Sequence, residues 1–318
     1  MLKRIFVLAV LLAPILSVAA AAASFSDVTW DREVGDSVAS GGIAYFIQGK
    51  SGANEKGNKT CEDGLFYSDD FLAVFDGATD KSGKSYDGDK GGRVARNIIL
   101  GVFKALPRDA APMDVLAAIN REYQVFYAAN TDLDFEKNPL FRPTATLVWY
   151  SFARNELVAI GDSKARVDGT VYNDGSKMVD ILNSDLRVKV IEELGLTAEE
   201  VAQNDLGRFY IMPLLTRQSE FQNNPEAPEA FQYWAVDGFP VPENKLVRVA
   251  FNERPKVIEL STDGYETIPA EPVIAQYEEE LERLLREDPM RIKNPSTKGI
   301  QKGNVSFDDR AVLIWKAK

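Results

Sequence analysis

The 318-residue chain has no histidine and a single cysteine, Cys61. Without imidazole there is no Ser-His-Asp or Cys-His nucleophile system, no His-ligated zinc and none of the usual haem ligation. One thiol excludes an internal disulfide and any cysteine cluster. Positive charge is also scarce: 37 Lys and Arg stand against 48 Asp and Glu, a formal net charge of −11, and no local basic patch interrupts the excess. Such a chain repels nucleic acid and anionic membrane surfaces and favours cations. Chemistry is left to carboxylates, hydroxyls and amines. With 45% hydrophobic and 10% aromatic residues, the composition is that of a globular protein long enough for one large or two small domains.

The first residues read as an address. Lys3 and Arg4 precede an apolar run from Ile5 to Ala23, broken by Pro14 and Ser17 and closed by five alanines. A basic start, an apolar middle and a small-residue end predict a secretory signal peptide over residues 1–23, cut at Ala23 to leave Ser24 first. The run approaches the ~20 residues that span a bilayer, but Pro14, the alanine-rich end and the missing basic stop-transfer flank favour cleavage. The expectation is an exported protein, periplasmic or secreted, with no membrane association after cleavage. Losing Lys3 and Arg4 takes the mature chain to −13, and with one thiol its stability must come from its core alone.

Runs rich in β-branched and aromatic residues recur at Ile43 to Gln48, Leu65 to Ser68, Phe71 to Phe75, Ala145 to Phe152, Leu157 to Ile160, Val257 to Leu260 and Ala311 to Trp315. They read as strands, several buried on both faces. Val94, Ile98, Val102 and Leu106, then Leu116, Ile119, Tyr123 and Phe126, then Val273, Tyr277, Leu281 and Leu285 have helical spacing and predict three amphipathic helices. The order does not alternate as a parallel α/β fold would, which points to an α+β fold of two antiparallel sheets covered by helices. Between Asp180 and Phe251 no sustained strand pattern appears, and the stretch reads as an inserted helical and loop lobe within a single domain over residues 24–318.

Acidic residues fall where the apolar runs end. Leu72 to Phe75 runs into Asp76-Gly77, Leu157 to Ile160 into Gly161-Asp162, and Val257 to Leu260 into Ser261-Thr262-Asp263-Gly264, while Asp308-Asp309 precedes the last run. Strand ends converge at a sheet edge, where several carboxylates can share a hard cation, Mg²⁺ or Mn²⁺, that no one of them would hold. Singly, each has a plainer explanation: Asp-Gly is a common hairpin turn, and Asp308-Asp309 could guard a strand against aggregation.

Together with their neighbours these motifs resemble the metal-dependent type 2C (PPM-type) protein serine/threonine phosphatases, from about Ile43 to the C-terminus. The residues carrying the resemblance are Cys61-Glu62-Asp63, Val74-Phe75-Asp76-Gly77, Gly91-Gly92-Arg93-Val94-Ala95, Thr144-Ala145-Thr146, Gly161-Asp162-Ser163-Lys164-Ala165, Ser261-Thr262-Asp263-Gly264 and Asp308-Asp309-Arg310-Ala311-Val312. The resemblance implies a four-layer α-β-β-α sandwich. It implies two Mg²⁺ or Mn²⁺ ions bridged by Asp76, with the Gly77 carbonyl on one and Asp263 and Asp308 on the other. Glu62 and Asp63 would stand at or just behind these ligands, and Asp162 would serve a weaker third ion. Asp76 and Asp263 become the expected catalytic residues. The implied reaction is phosphoserine and phosphothreonine hydrolysis by a metal-activated water, on a phosphoprotein or a small phosphate ester, by a monomer.

The chain departs from the pattern in two places. Ala78 stands where many relatives have a histidine, and no arginine precedes Glu62-Asp63; Lys56 and Lys59 are the nearest cations and the phosphate-binding candidates. A polar stretch from Ala78 to Lys90 also interrupts the motif. These departures keep a second reading in view, a catalytically weak or inactive phosphatase-shaped protein that binds a partner or acts as a sensor. Two other readings fail on the residues. Gly83-Lys84-Ser85 lies at the wrong spacing from Gly77 for a phosphate-binding loop. A glycosidase would need Phe231, Tyr233 or Trp234 beside the acids, and nothing in the sequence puts them there. Cys61 is either an oxidation-sensitive thiol or an inert buried one.

Overall fold

The structure, a computed structural model, describes residues 34–53, 55–173 and 177–318; the expected signal peptide, its cut at Ala23 and the start at Ser24 lie outside them. In chain order the strands are β1 (Val34–Val38), β2 (Gly41–Gln48), β3 (Asp63–Tyr67), β4 (Phe71–Gly77), β5 (Ala145–Ser151), β6 (Glu156–Ile160), β7 (Lys164–Val167), β8 (Thr170–Asn173), β9 (Val247–Ala250), β10 (Val257–Ser261) and β11 (Arg310–Ala317). The helices are α1 (Glu55–Thr60), α2 (Gly91–Phe103), α3 (Pro112–Ala129), α4 (Met178–Leu194), α5 (Ala198–Gln203), α6 (Leu206–Arg217) and α7 (Ile274–Glu287).

The strands form two sheets, ordered β1-β2-β11-β10-β7-β8 and β3-β4-β5-β6-β9. All pairings are antiparallel. The fold is α+β, two antiparallel sheets flanked by helices. Side chains alternate faces along a strand, and here both faces are covered. Leu72 and Val74 of β4 point into the inter-sheet core with Ala311, Leu313 and Trp315 of β11. Phe71, Ala73 and Phe75 point outward, against Ala95, Ile99 and Phe103 of α2 and Ile119 and Tyr123 of α3. On the far side, Val312 and Ile314 meet Ile274 and Tyr277 of α7. Burial on both faces explains why these strands read as unbroken apolar runs.

Five elements differ from the sequence expectation. β9 lies inside the stretch that shows no sustained strand pattern: it is four residues long, includes Arg248, and pairs along β6 as an edge strand. β7 carries Lys164 and Arg166, both buried, and Arg166 is admitted by its pairing with Glu259 at 2.6 Å. β1 and β8 are the two outer strands of the larger sheet. The face of α2 is also turned from the expected one: Ala95, Ile99 and Phe103 are buried beside the expected Val102, while Ile98 and Leu106 pack against the same core only partly buried. Helix α2 sits close on β3 and β4, and its buried face opens with Gly91, Gly92 and Ala95 before reaching Ile99 and Phe103.

Helices α4 and α6 pack on each other in the expected lobe. Arg187 of α4, fully buried, pairs with Asp205 at 2.7 Å and donates to the carbonyls of Met290 and Ser296. That ties the lobe to the segment preceding β11. No described helix is long and apolar enough to cross a membrane.

Candidate functional site

The alternation that builds the core also delivers the acids. Leu72 and Val74 face inward, so the next inward position of β4 is Asp76, and β3 sets Asp63 directly opposite it in register. From the other sheet, β10 ends just before Thr262-Asp263 and β11 begins just after Asp308-Asp309. Asp76, Asp162, Asp263 and Asp308, from four strand ends, line one cavity of about 620 Å³. Glu62 and Asp63 are buried and are not among its lining residues.

The Asp-Gly pair after Phe75 is no hairpin turn. Gly77 is the last residue of β4, opposite Ala145, and its N–H donates to the Glu62 carbonyl at 3.2 Å. A Cβ on Gly77 would come within 2.2 Å of the Gly92 carbonyl oxygen. The glycine is required by the close approach of α2, which also keeps the Gly77 backbone at the cavity wall.

The carboxylates fall into two electrostatic classes. Asp63 and Asp76 are pushed well above the usual range, by burial first; Asp309 then adds most at Asp63, and Asp63 and Asp263 at Asp76. Asp263 is raised by its removal from bulk water and by Asp162 and Asp308, and accepts a hydrogen bond from Asp76. Glu62 is pushed up to about 7, chiefly by burial, against the pull of Lys50. Asp308 is the exception. Its enclosure works upward, but Lys298 and Lys50 hold its carboxyl well below the ordinary carboxylate range. Lys50 Nζ lies 3.0 Å from Asp308, 3.5 Å from Asp309 and 3.9 Å from Glu62, and Lys298 donates to the other Asp308 oxygen. Asp309 accepts the N–H groups of Lys50 and Glu62 at 2.8 and 2.9 Å, which welds the start of β11 to the ends of β2 and α1. Asp162 pairs with Lys177 at 3.0 Å.

Among the described residues no three His, Cys, Asp or Glu side chains are spaced as a ready-made ligand group. The donor set still fits a hard dication: every candidate ligand atom is oxygen, and Glu62 Oε1 and Asp63 Oδ2 are buried without a hydrogen-bond partner. Asp76, Asp263 and the Gly77 carbonyl are the groups that could hold one, while Asp308 already has ammonium groups on both oxygens.

Of the phosphate-binding candidates, Lys59 lies on α1, exposed, and is not among the lining residues. Lys56 falls on the same helix, and its side chain lies outside the described residues. The cavity draws its positive charge from elsewhere, from Lys81, Lys164, Lys177, Arg208, Arg291 and Lys298. Sequence reading missed most of these. Lys50 follows the end of β2 as the aspartates follow theirs, a signal that could have found it; Arg208 and Lys298 carry no local mark. The loop between β4 and α2 is anchored by buried Tyr86, whose hydroxyl donates to the Phe141 carbonyl at 2.6 Å, and it brings Ala78, Thr79 and Lys81 to the cavity. Cys61 is fully buried, and its thiol is pushed up by burial and by Asp309 and Asp63, so it is the inert kind. Phe231 stacks on Phe221 and Tyr233 lies beside Lys177; neither lines the cavity.

Compared by sequence, the chain matches no family profile and no curated protein. Compared by structure, it is similar to the serine/threonine phosphatase PstP/Ppp of Mycobacterium tuberculosis, with 19% identity and a TM-score of 0.43 over 87% of this chain and 98% of that one. It is similar to PppA of Pseudomonas aeruginosa, described as a key regulatory component of T6SS, with 15% identity and a TM-score of 0.43 over 87% and 97%. The serine/threonine phosphatase Stp1 from Staphylococcus aureus is similar at 15% identity and a TM-score of 0.40 over 91% and 98%.

Proposed function

We propose that this protein is a Mg²⁺- or Mn²⁺-dependent phosphomonoester hydrolase acting on phosphoserine or phosphothreonine, exported by its N-terminal signal. One observation carries the reading: four aspartates from four strand ends line a single cavity, where burial and neighbouring carboxylates push Asp76 and Asp263 upward. Carboxylates crowded together at that cost have a use when a cation joins them. Asp76 and Asp263, with the Gly77 carbonyl, would be the ligands; Asp308 would join on release from its lysines, and Glu62 and Asp63 would back them from behind. When bound, a dication pair there would acidify water and screen charge on the phosphoryl group. The rest belongs to this chain. Asp76 and Asp263 would bind in their ionised form, and Gly77 would hold the floor against α2. Without a histidine beside Asp76, the leaving group would take its proton from water.

The expected result is hydrolysis of 4-nitrophenyl phosphate by the protein with Mn²⁺, abolished by chelator and reduced at least 100-fold, about 3 kcal/mol of transition-state stabilisation, in Asp76→Asn and Asp263→Asn. No turnover above buffer with ample Mn²⁺ would end the hydrolase reading. A second reading, a phosphatase-shaped binding or sensing protein, is favoured by the double lysine clamp on Asp308. It predicts calorimetric dication binding without turnover.

A further inference from the structure

Six cationic side chains line the cavity; three of them are ion-paired, and a fourth, Lys164, is buried against two backbone carbonyls. Lys164 donates to the carbonyls of Tyr265 and Glu266. Lys177 pairs with Asp162 and Asp180 at 3.0 and 3.3 Å. Lys298 pairs with Asp308, and Arg291 with Glu266 at 2.6 Å. The remaining two are Lys81, in the loop after β4, and Arg208, on α6. Lys81 donates to the Thr79 carbonyl at 3.3 Å, and Arg208 to the carbonyl and hydroxyl of Thr297 at 2.8 and 3.4 Å. All these acceptors are neutral, and among the described residues neither cation has a carboxylate at ion-pair distance.

After burial, the charge that weighs most on Lys81 is that of Arg208, and together they bring its ammonium down to about 8. Lys177 and Lys298 add to the repulsion, and Asp180, already committed to Lys177, opposes it. In a chain at −11 there is no shortage of carboxylates to neutralise such a pair. Both cations stand partly exposed at the cavity wall; Asp308 and Asp205 attract Arg208 but are already paired with Lys298 and Arg187, so a bound anion would relieve the repulsion between the two.

We propose that Lys81 and Arg208 together hold the oxygens of a phosphoryl dianion and present it to the aspartates, an assignment that rests on the hydrolase reading for its substrate. Two uncompensated cations match a dianion carried on one group. The guanidinium supplies a planar fork and the ammonium a point charge, which suits a tetrahedral group with three free oxygens. One cation comes from the loop that interrupts the Asp-Gly motif and the other from the helical lobe, so both segments acquire a role. The missing arginine ahead of Glu62-Asp63 is replaced from a different direction.

The experiment titrates inorganic phosphate calorimetrically, with Mg²⁺ present, into the full protein and its variants Lys81→Met, Lys81→Arg, Arg208→Met and Arg208→Lys, with Lys84→Ala, exposed in the same loop, as control. KM is measured for 4-nitrophenyl phosphate and for a phosphothreonyl peptide, and thermal melts check that each variant folds. The expected result is phosphate affinity weakened about tenfold in each Met variant, largely restored in Lys81→Arg and unchanged in Lys84→Ala. KM should rise in parallel for both substrates, with kcat less affected. Phosphate binding that depends on Lys81 and Arg208 without any turnover would sustain the inference while the hydrolase reading falls. Turnover with KM and phosphate affinity unchanged in both Met variants would overturn the inference and leave the hydrolase standing. A KM effect confined to the peptide would also overturn it, because the pair would then touch the chain and not the phosphoryl group. So would a protein that binds no phosphate at all.

Discussion

Glu62 shows how a buried acid couples the site to stability. Its carboxyl moves from 4.5 to about 7 in the folded protein, chiefly by burial. A group whose folded value is raised binds more protons folded than unfolded, so its contribution is present below about 4.5 and is lost as pH rises toward about 7. The loss amounts to ~3 kcal/mol at most. Asp63, Asp76 and Asp263 shift in the same direction, while Asp308, held down by its lysines, acts only below the ordinary carboxylate range. In chelator, the urea midpoint should therefore fall from pH 5 to pH 7, and Glu62→Gln should make that fall shallower. Parallel curves for the two proteins would show that Glu62 ionises freely. At the same scale, Arg166 and Arg187 show that buried charge is tolerated where it is matched: each has a carboxylate partner within 2.7 Å.

At the scale of elements, the site depends on how closely α2 lies against β4. Gly77 and Gly92 make that approach possible, and a methyl on Gly77 would meet two backbone oxygens at 2.2 and 2.6 Å. Backbone cannot move aside as a flexible side chain can, so Gly77→Ala should cost about 2 kcal/mol or more and displace the start of α2. The measurement is a urea midpoint, and a shift too small to detect would mean that the helix accommodates. This packing also explains what the sequence shows imperfectly. The strand runs are legible because both faces are buried, but the start of the α2 face is not, because its buried residues there are Gly91, Gly92 and Ala95 and do not register as an apolar stripe. Helix α4 is obscured differently. Val179, Val188 and Ile191 are buried while Met178, Ile181, Leu182 and Leu186 are exposed, so apolar residues surround the helix and no single face stands out. β7 is hidden by Lys164 and Arg166, whose partners lie far along the chain.

For the whole molecule, the acid cluster gathers Asp76 from one sheet and Asp263 and Asp308 from the other, so a cation there would add a further tie between them. Binding that favours the folded state raises stability by mass action, about 2.7 kcal/mol at one hundred times the dissociation constant. Mn²⁺ should accordingly raise the melting temperature of the full protein in a concentration-dependent way and leave Asp76→Asn with a much smaller rise. Equal shifts in both would place the cation elsewhere. The cations of the site come from distant parts of the chain: Lys50 and Asp308 are 258 positions apart, and Lys81 and Arg208 belong to a loop and a helix with no shared pattern.

What the sequence determined by itself was the kind of chemistry open to this protein, the strands of its core, and the acids at their ends. Absent imidazole and the two-residue alternation of a strand are local facts, visible without a fold. Only the tertiary structure decided which of those acids meet lysine, and that among the described residues Lys81 and Arg208 have no carboxylate at ion-pair distance, because charge compensation depends on distances through space between residues that the chain keeps far apart.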